Sequence, residues 1–329
     1  MSVESAKDQI SRFKEQLVRF ELDDDIKEYL KKIDANVLKG IAIVGMGGSA
    51  LSGELLKNYL EHLGFDKPIF IFRRYELPEF IDKNYFLFIQ SYSGNTEETL
   101  SCLKDAFKKQ VKGVVISSDG MAKDFAKKYE FPFIEMPKGF QPRLALGFFL
   151  MRELAIIEYL FNLDFDDDIR RIESINWEKF KKNAETLAEK IDATPLIYTT
   201  YPINSLGKIW KALINECAKM HCFTNEISEL NHNEMVGFTL DKDYYVIIIE
   251  DEADHYRLRK RVELLQGIFK KNKVKSVVLN LKGGSFLTRL LSLVYLGMWL
   301  SFYLALRNEV DPERVDIIEN FKKKLGRFI

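Results

Sequence analysis

Residues 40–56 read GIAIVGMGGSALSGELL: an apolar run, a glycine loop and the opening of a helical pattern. Gly40–Val44 has the unbroken apolar character of a strand buried on both faces. After the loop, Leu51, Leu55, Leu56, Tyr59, Leu60 and Leu63 recur at helical spacing, and Gly64 can end the pattern. Glycines between a strand and a helix let backbone approach an anion closely, while the helix start offers unpaired N–H groups. Ser49 adds a hydroxyl. On these residues alone three readings compete. One is a sugar-phosphate cradle. Another is a dinucleotide fingerprint, since Gly45-x-Gly47-x-x-Ala50 fits its looser form and Arg73 and Arg74 follow the second strand, where an NADP phosphate could sit. The third is a tight turn with no ligand. A Walker A loop is excluded because no Gly-Lys-Ser/Thr follows.

The pattern continues outward from this stretch. The first thirty-odd residues suit helices that are amphipathic around Ile10, Phe13, Leu17 and Phe20. Strand-like runs follow at Ile69–Phe72, Tyr85–Gln90, 113–117 and 132–136, with helical segments at 96–109 and 121–129 and a long apolar helix at 144–163. Alternating strands and helices predict a parallel sheet covered on both faces. Residues 164–178 are acidic and weakly patterned, and then the plan restarts: strands at 195–199, 244–250 and 276–281, helices at 206–220 and 255–270, an apolar helix at 286–306 and a charged helix at 312–325. The expected organisation is an N-terminal helical segment with a first α/β domain over 1–163, a connection over 164–190 and a second α/β domain over 191–329.

A chain of 329 residues with 47% apolar residues can fill two cores. Its 30% charged residues balance to a formal net charge of zero, which argues against nucleic acid or an anionic membrane as partner. The basic run 257–261 reads as the solvated face of a helix. Cys102, Cys217 and Cys222 lack metal-ligand spacing, and an odd number predicts free thiols in a reducing, cytoplasmic setting. The first residues, MSVESAKDQI, contain no apolar signal core, so no secretory signal is expected. Residues 144–163 are interrupted by Arg152, Glu153 and Glu158, and 290–306 is short and carries serines and tyrosines, so both are expected to be buried helices of a soluble protein.

A second turn narrows the first. FLFIQSYSGNTEETL, residues 86–100, again runs strand, turn, helix, and brings Ser91, Ser93 and Thr96 to the carboxyl end of a neighbouring strand, where open α/β sheets bind ligands. Those hydroxyls, the amides around Gly94 and the next helix start make a second anion nest. Thr96 alone could be an ordinary helix cap. A dinucleotide fold has no use for a second hydroxyl cluster, whereas a phosphomonoester held from two sides does.

GMGGSALSG and SYSGNTEET resemble the signature of the sugar isomerase (SIS) domain. GFQPR at 139–143, INECAKM at 214–220 and NEISELNHNEMVGF at 225–238 are similar to segments of the archaeal-type bifunctional phosphoglucose/phosphomannose isomerases, which carry two such domains. The resemblance implies two SIS-type three-layer α/β/α sandwiches with parallel, flavodoxin-like sheets. It implies an aldose–ketose isomerase that acts on glucose 6-phosphate, fructose 6-phosphate and mannose 6-phosphate through a cis-enediolate, with no cofactor and no metal. The phosphate would be held by Gly48, Ser49, Ser91, Ser93 and Thr96. Glu216 corresponds to the family's C1–C2 proton-transfer base, His232 to a ring-opening histidine supplied by the partner subunit of a homodimer, and Arg143 to a guanidinium facing the enediolate. Gln141 is a weaker candidate for sugar binding. Lys322 corresponds to a C-terminal ring-opening lysine, Asp311-Pro312 matching the start of its helix, although Lys323 and Lys324 adjoin it. Read without the resemblance, Glu216 is a helix-surface glutamate and the lysine run a solvated face. His221 is expected to be packed beside Met220 and Cys222, and His62 and His255 to be structural; Glu229 and Glu234 flank His232 without an assigned role. Rival expectations are a non-catalytic SIS sensor, disfavoured by the lack of a helix-turn-helix pattern, an NADP-linked oxidoreductase, and an amino-sugar SIS enzyme.

Overall fold

A computed structural model of the chain describes residues 2–240 and 243–326. It resolves into two compact units, one formed by Ser11–Arg170 with the segment from Ile317 onward, the other by the N-terminal residues to Ile10 with Arg171–Asp316.

The first unit contains β1 (Gly40–Val44), β2 (Ile69–Phe72), β3 (Tyr85–Gln90), β4 (Lys112–Ser117) and β5 (Phe133–Glu135). They pair in the order β2-β1-β3-β4-β5, every pair parallel, which is the flavodoxin-like order. Strands β1 and β3 are buried along their whole length, as their unbroken apolar runs require. Helices Gly48–His62 and Leu146–Phe161 pack together, as do Glu97–Lys108 and Met121–Lys128. The second pair covers a core that includes Leu87, Ile89, Leu100, Leu103 and Val115. Register decides what the sheet can do. Val44 pairs with Ile89, so Gly45 leaves the sheet beside Gln90, the last residue of β3, and the two turns start as neighbours.

The second unit contains β6 (Thr194–Thr199), β7 (Phe223–Glu226), β8 (Tyr244–Asp251) and β9 (Lys275–Leu281), ordered β7-β6-β8-β9 and all parallel. This repeats the first four positions of the other sheet. Strand β7 has no counterpart among the expected strands: Phe-Thr-Asn-Glu on a sheet edge carries neither apolar alternation nor an apolar run. Within 164–190, Asp166–Arg171 and Trp177–Lys190 are helical, the latter capped by Asn176, whose side chain accepts from the Lys179 amide. The terminal helix begins at Asp316 rather than Pro312, because Asp311 Oδ1 accepts from the amides of Glu313 and Arg314 and folds that stretch into a turn.

Helix Phe286–Arg307 is long and apolar enough to cross a membrane, but 89% of its most apolar window is buried inside the protein. It packs between Trp177–Lys190 and Asn204–Cys217. Trp210 donates from Nε1 to the Leu293 carbonyl at 2.9 Å, and a Cβ on Gly297 would lie 2.4 Å from that same nitrogen. The indole therefore sits where a side chain would otherwise be. Gly297→Val should force the two helices apart and destabilise the unit by about 2 kcal/mol, lowering the thermal midpoint by a few degrees. A scan showing an unchanged midpoint would contradict this packing.

Candidate active site

Three segments of the first unit converge at the carboxyl edge of its sheet. Gly47 has φ 51° and ψ −131°, a conformation open to glycine, and nothing lies within 4 Å of where its Cβ would be, so that flank of the loop is accessible. Gly48 is the opposite case. A Cβ there would stand 2.6 Å from both the Pro142 carbonyl and the Arg143 amide, so the GFQPR loop lies directly on the glycine loop. Ser49 Oγ accepts from the Tyr92 amide at 3.0 Å, which joins the two turns and leaves the hydroxyl proton for another acceptor. Ser91 donates to Thr96 Oγ1 at 3.0 Å. Thr96 occupies the N-cap position of Glu97–Lys108 without capping it, its hydroxyl being engaged by Ser91 instead. Ser93 is exposed, and its Oγ accepts from the Asn95 amide.

Tyr92, which sequence reasoning passed over, ties the third segment in. Its hydroxyl donates to the Pro137 carbonyl at 2.8 Å and accepts from the Phe140 amide at 2.9 Å, so the hydroxyl turn holds the strand-to-helix loop that ends in Arg143. Arg143 is 2% exposed and donates to Gln141 Oε1 at 3.4 Å. A guanidinium out of water interacts strongly with a developing negative charge. The arrangement thus offers hydroxyls, amides and a buried cation to an anion. Arg73, the residue that suggested a dinucleotide phosphate, turns back onto the glycine-loop helix and pairs with the buried Glu54 at 2.8 Å. Among the described residues one carboxylate group has metal-ligand spacing, Glu158, Asp164 and Asp166, and Arg19 forms ion pairs with the first and last of these.

Directly behind the two turns lies a polar cluster with no exposed surface. Glu153, on Leu146–Phe161, accepts through Oε1 from Ser52 Oγ at 2.8 Å and from Gln90 Nε2 at 2.5 Å. Arg152 turns elsewhere, over the Phe20 ring and onto the Phe148 and Glu135 carbonyls, so it does not neutralise its neighbour. Burial pushes the Glu153 carboxyl up to about 7 from an ordinary 4.5, against the two donors, which pull it down.

The remaining candidates lie in the second unit or on the terminal helix. Glu216 is half-buried in the last turn of Asn204–Cys217. That helix starts beyond the carboxyl end of β6 and runs back along the sheet for roughly 18 Å before reaching Glu216, which leaves it near the amino edge, where β7 begins. His232 follows the carboxyl end of β7 and is exposed. The two residues therefore stand at opposite edges of one sheet. The His232 loop is braced on every side. Glu234 accepts from the Tyr198 hydroxyl at 2.7 Å and from Asn225, Glu229 accepts from Asn233, and Arg261 donates to Asn231. Glu229 and Glu234 thus hold the loop's shape. Arg261 belongs to the run read as a solvated face. His221 is exposed rather than packed, its ring facing Phe223, and His255 Nδ1 accepts from the Arg257 amide at a helix start. Lys322 is exposed in the last turn of Asp316–Leu325, beside Lys323 and Lys324.

Residues 180–325 match the bacterial phospho-glucose isomerase C-terminal SIS domain. The C-terminal domain of glucosamine-fructose-6-phosphate aminotransferase from Francisella tularensis has the same fold, with a TM-score of 0.73 at 17% identity over 95% of this chain and 97% of that one. The class is therefore a protein of paired SIS-type α/β/α sandwiches with parallel sheets. A bifunctional phosphoglucose/phosphomannose isomerase from Aquifex aeolicus is 36% identical over 315 residues, 94% of this chain and 95% of the relative. A second, from Caldicellulosiruptor bescii, is 34% identical over 90% of this chain and 93% of its own. The chain belongs to the bifunctional phosphoglucose/phosphomannose isomerase family.

The raised Glu153 carboxyl has a consequence for stability. Between pH 4.5 and about 7 the folded protein keeps a proton that the unfolded chain has lost, so the contribution is complete below pH 4.5, falls as pH rises and is gone above about 7. Its full size is about 3 kcal/mol. Glu153→Gln should flatten this part of the stability–pH curve in denaturant titrations. A curve with the wild-type slope would rule out Glu153 as its source.

Proposed function

We propose that the protein interconverts glucose 6-phosphate and fructose 6-phosphate, and mannose 6-phosphate and fructose 6-phosphate, by proton transfer through a cis-enediolate. The observation that carries this reading is the identity of more than a third with a bifunctional isomerase along nearly the whole of both chains. The clustering of Ser49, Ser91, Thr96 and Arg143 at one sheet edge supports it. In this reading Gly48, Ser49, Ser91, Ser93 and Thr96 hold the phosphate. Glu216 removes the proton beside the carbonyl and returns it to the adjacent carbon. Arg143, desolvated and fixed by its loop, stabilises the enediolate oxygens. His232 and Lys322 pass the ring proton that opens the cyclic sugar. Reaching both C2 epimers needs only that the C2–C3 bond turn while the phosphate stays anchored. No metal or cofactor takes part.

The protein acts as a homodimer with shared sites. Two observations support this. Glu216 and His232 lie at opposite edges of one sheet, which suits a site that takes each from a different chain. In addition, the terminal helix leaves Ile317, Phe321 and Leu325 exposed at i, i+4 and i+8, an apolar stripe of the kind that a second copy covers. Small-molecule sugar phosphates and a second copy are the partners, and the buried thiols Cys102, Cys217 and Cys222 suit a cytoplasmic location.

A coupled assay on fructose 6-phosphate and mannose 6-phosphate, run with EDTA present, should detect turnover in both directions, and activity abolished by the chelator would overturn the metal-free mechanism. In the same assay Glu216→Gln should lower kcat by about 10²–10⁴-fold, and near-normal turnover would remove Glu216 as the base. Mixing Glu216→Gln with His232→Ala chains should restore one intact site per heterodimer, about half the wild-type activity. Confirmed heterodimers without activity would count against sharing.

A further inference from the structure

The Ser52–Glu153–Gln90 cluster touches each element that carries the anion site, and none of its side chains reaches the surface. Ser52 lies on the glycine-loop helix one turn beyond Ser49. Gln90 is the last residue of β3, immediately before Ser91. Glu153 sits on the helix that continues from the Arg143 loop. Resting on the reading of this edge as a phosphate site, we propose that Glu153 is a positioning residue that sets the spacing between the glycine loop and the hydroxyl turn, and so the affinity for the substrate's phosphate group.

The chemistry of the cluster favours positioning over mere filling. Three buried polar side chains are a poor way to stabilise a core, since apolar residues of equal volume do as well or better. Hydrogen bonds differ from apolar contacts in being directional and short-ranged, and a single carboxylate oxygen that receives both donors fixes their mutual distance. Ser52 and Gln90 themselves stand 3.5 Å apart, so Glu153 makes the firm link between the two elements. On the site side the turns share the bond from the Tyr92 amide to Ser49 Oγ. Loss of the carboxyl therefore leaves that one bond to set the spacing of the two turns where a phosphate would bridge them. The second oxygen, Oε2, has no hydrogen-bond partner among the described residues, so the group is held by Oε1 alone.

The test compares Glu153→Met, which keeps the volume and removes the acceptor, with Glu153→Gln, which keeps an acceptor, and with Ser52→Ala, which removes one donor and disturbs the core least. The readouts are inorganic phosphate binding by calorimetry, KM and kcat on fructose 6-phosphate, and the thermal midpoint. Glu153→Met should weaken phosphate binding and raise KM by about tenfold, the effect of stranding buried hydrogen-bonding groups, while kcat at saturation changes by less than about threefold. Glu153→Gln should restore phosphate affinity to within about threefold of wild type, and Ser52→Ala should fall between the two. If Glu153→Met and Ser52→Ala alter only the thermal midpoint, with phosphate affinity and KM unchanged, the proposal is overturned. Should Glu153→Met fail to fold, Ser52→Ala decides on the same readouts. Ser49→Ala and Ser91→Ala serve as references. If they too leave phosphate affinity unchanged, the phosphate reading of this edge fails, and the proposal with it. If they weaken it while the Glu153 and Ser52 variants do not, the proposal alone fails.

Discussion

Parallel pairing is the constraint on which the rest depends. A strand that must run alongside its predecessor in the same direction sends the chain back through a helix, so every strand-to-helix turn emerges at one edge. In the first unit the pairing of Val44 with Ile89 turns this generality into a candidate site, because it brings the turns that follow Val44 and Gln90 to that edge side by side. In the second unit the same rule has the opposite effect. It carries Glu216 down the length of a returning helix and leaves His232 at the top of β7. One topology thus gathers the groups proposed to bind and separates two groups assigned to the chemistry.

The two groups of residues are also held differently. The glycine loop and the hydroxyl turn rest on a wholly buried cluster, with the GFQPR loop pressed against Gly48 and pinned by Tyr92. The His232 loop is exposed and relies on bonds at its flanks, from Tyr198, Asn225, Asn233 and Arg261. Groups that bind a fixed anion gain from preorganisation in a medium of low polarisability. In the proposed reaction, an imidazole that gives and takes a proton gains from contact with water.

The legible parts of the sequence are those where local pattern and tertiary role coincide. β1 and β3 are buried on both faces and read as unbroken apolar runs, and the turns that follow them announce themselves by glycine and hydroxyls. β7 was invisible because an edge strand of Phe, Thr, Asn and Glu has no apolar face to show. The terminal helix starts late because an aspartate side chain competes for the backbone amides, a choice that helical periodicity does not record. Glu153 is the instructive case. Its charge interrupts an apolar helix, and in the sequence that interruption argues only against a membrane span. Its partners lie 63 and 101 residues away, so its meaning exists only after folding. The roles proposed for Glu216 and His232 rest on resemblance alone, since a glutamate at a helix end and a histidine in a polar loop are common on any surface.

Why a carboxyl was placed there, rather than an amide or an apolar group, follows from what each can accept. Ser52 and Gln90 both present donors toward the same point, and a carboxyl oxygen takes two donors at once without offering either a competing proton from that atom. An apolar side chain would leave two buried donors stranded, a loss of about 1–3 kcal/mol for each. A fully charged carboxylate would be opposed by desolvation, and burial does push this group toward its neutral form. A neutral carboxyl bound through one oxygen satisfies both conditions. It joins the strand end to the glycine-loop helix without placing a fixed negative charge behind the proposed phosphate site. Near neutral pH that balance is close, so the same residue that orders the anion site also contributes to how the stability of the fold depends on acidity.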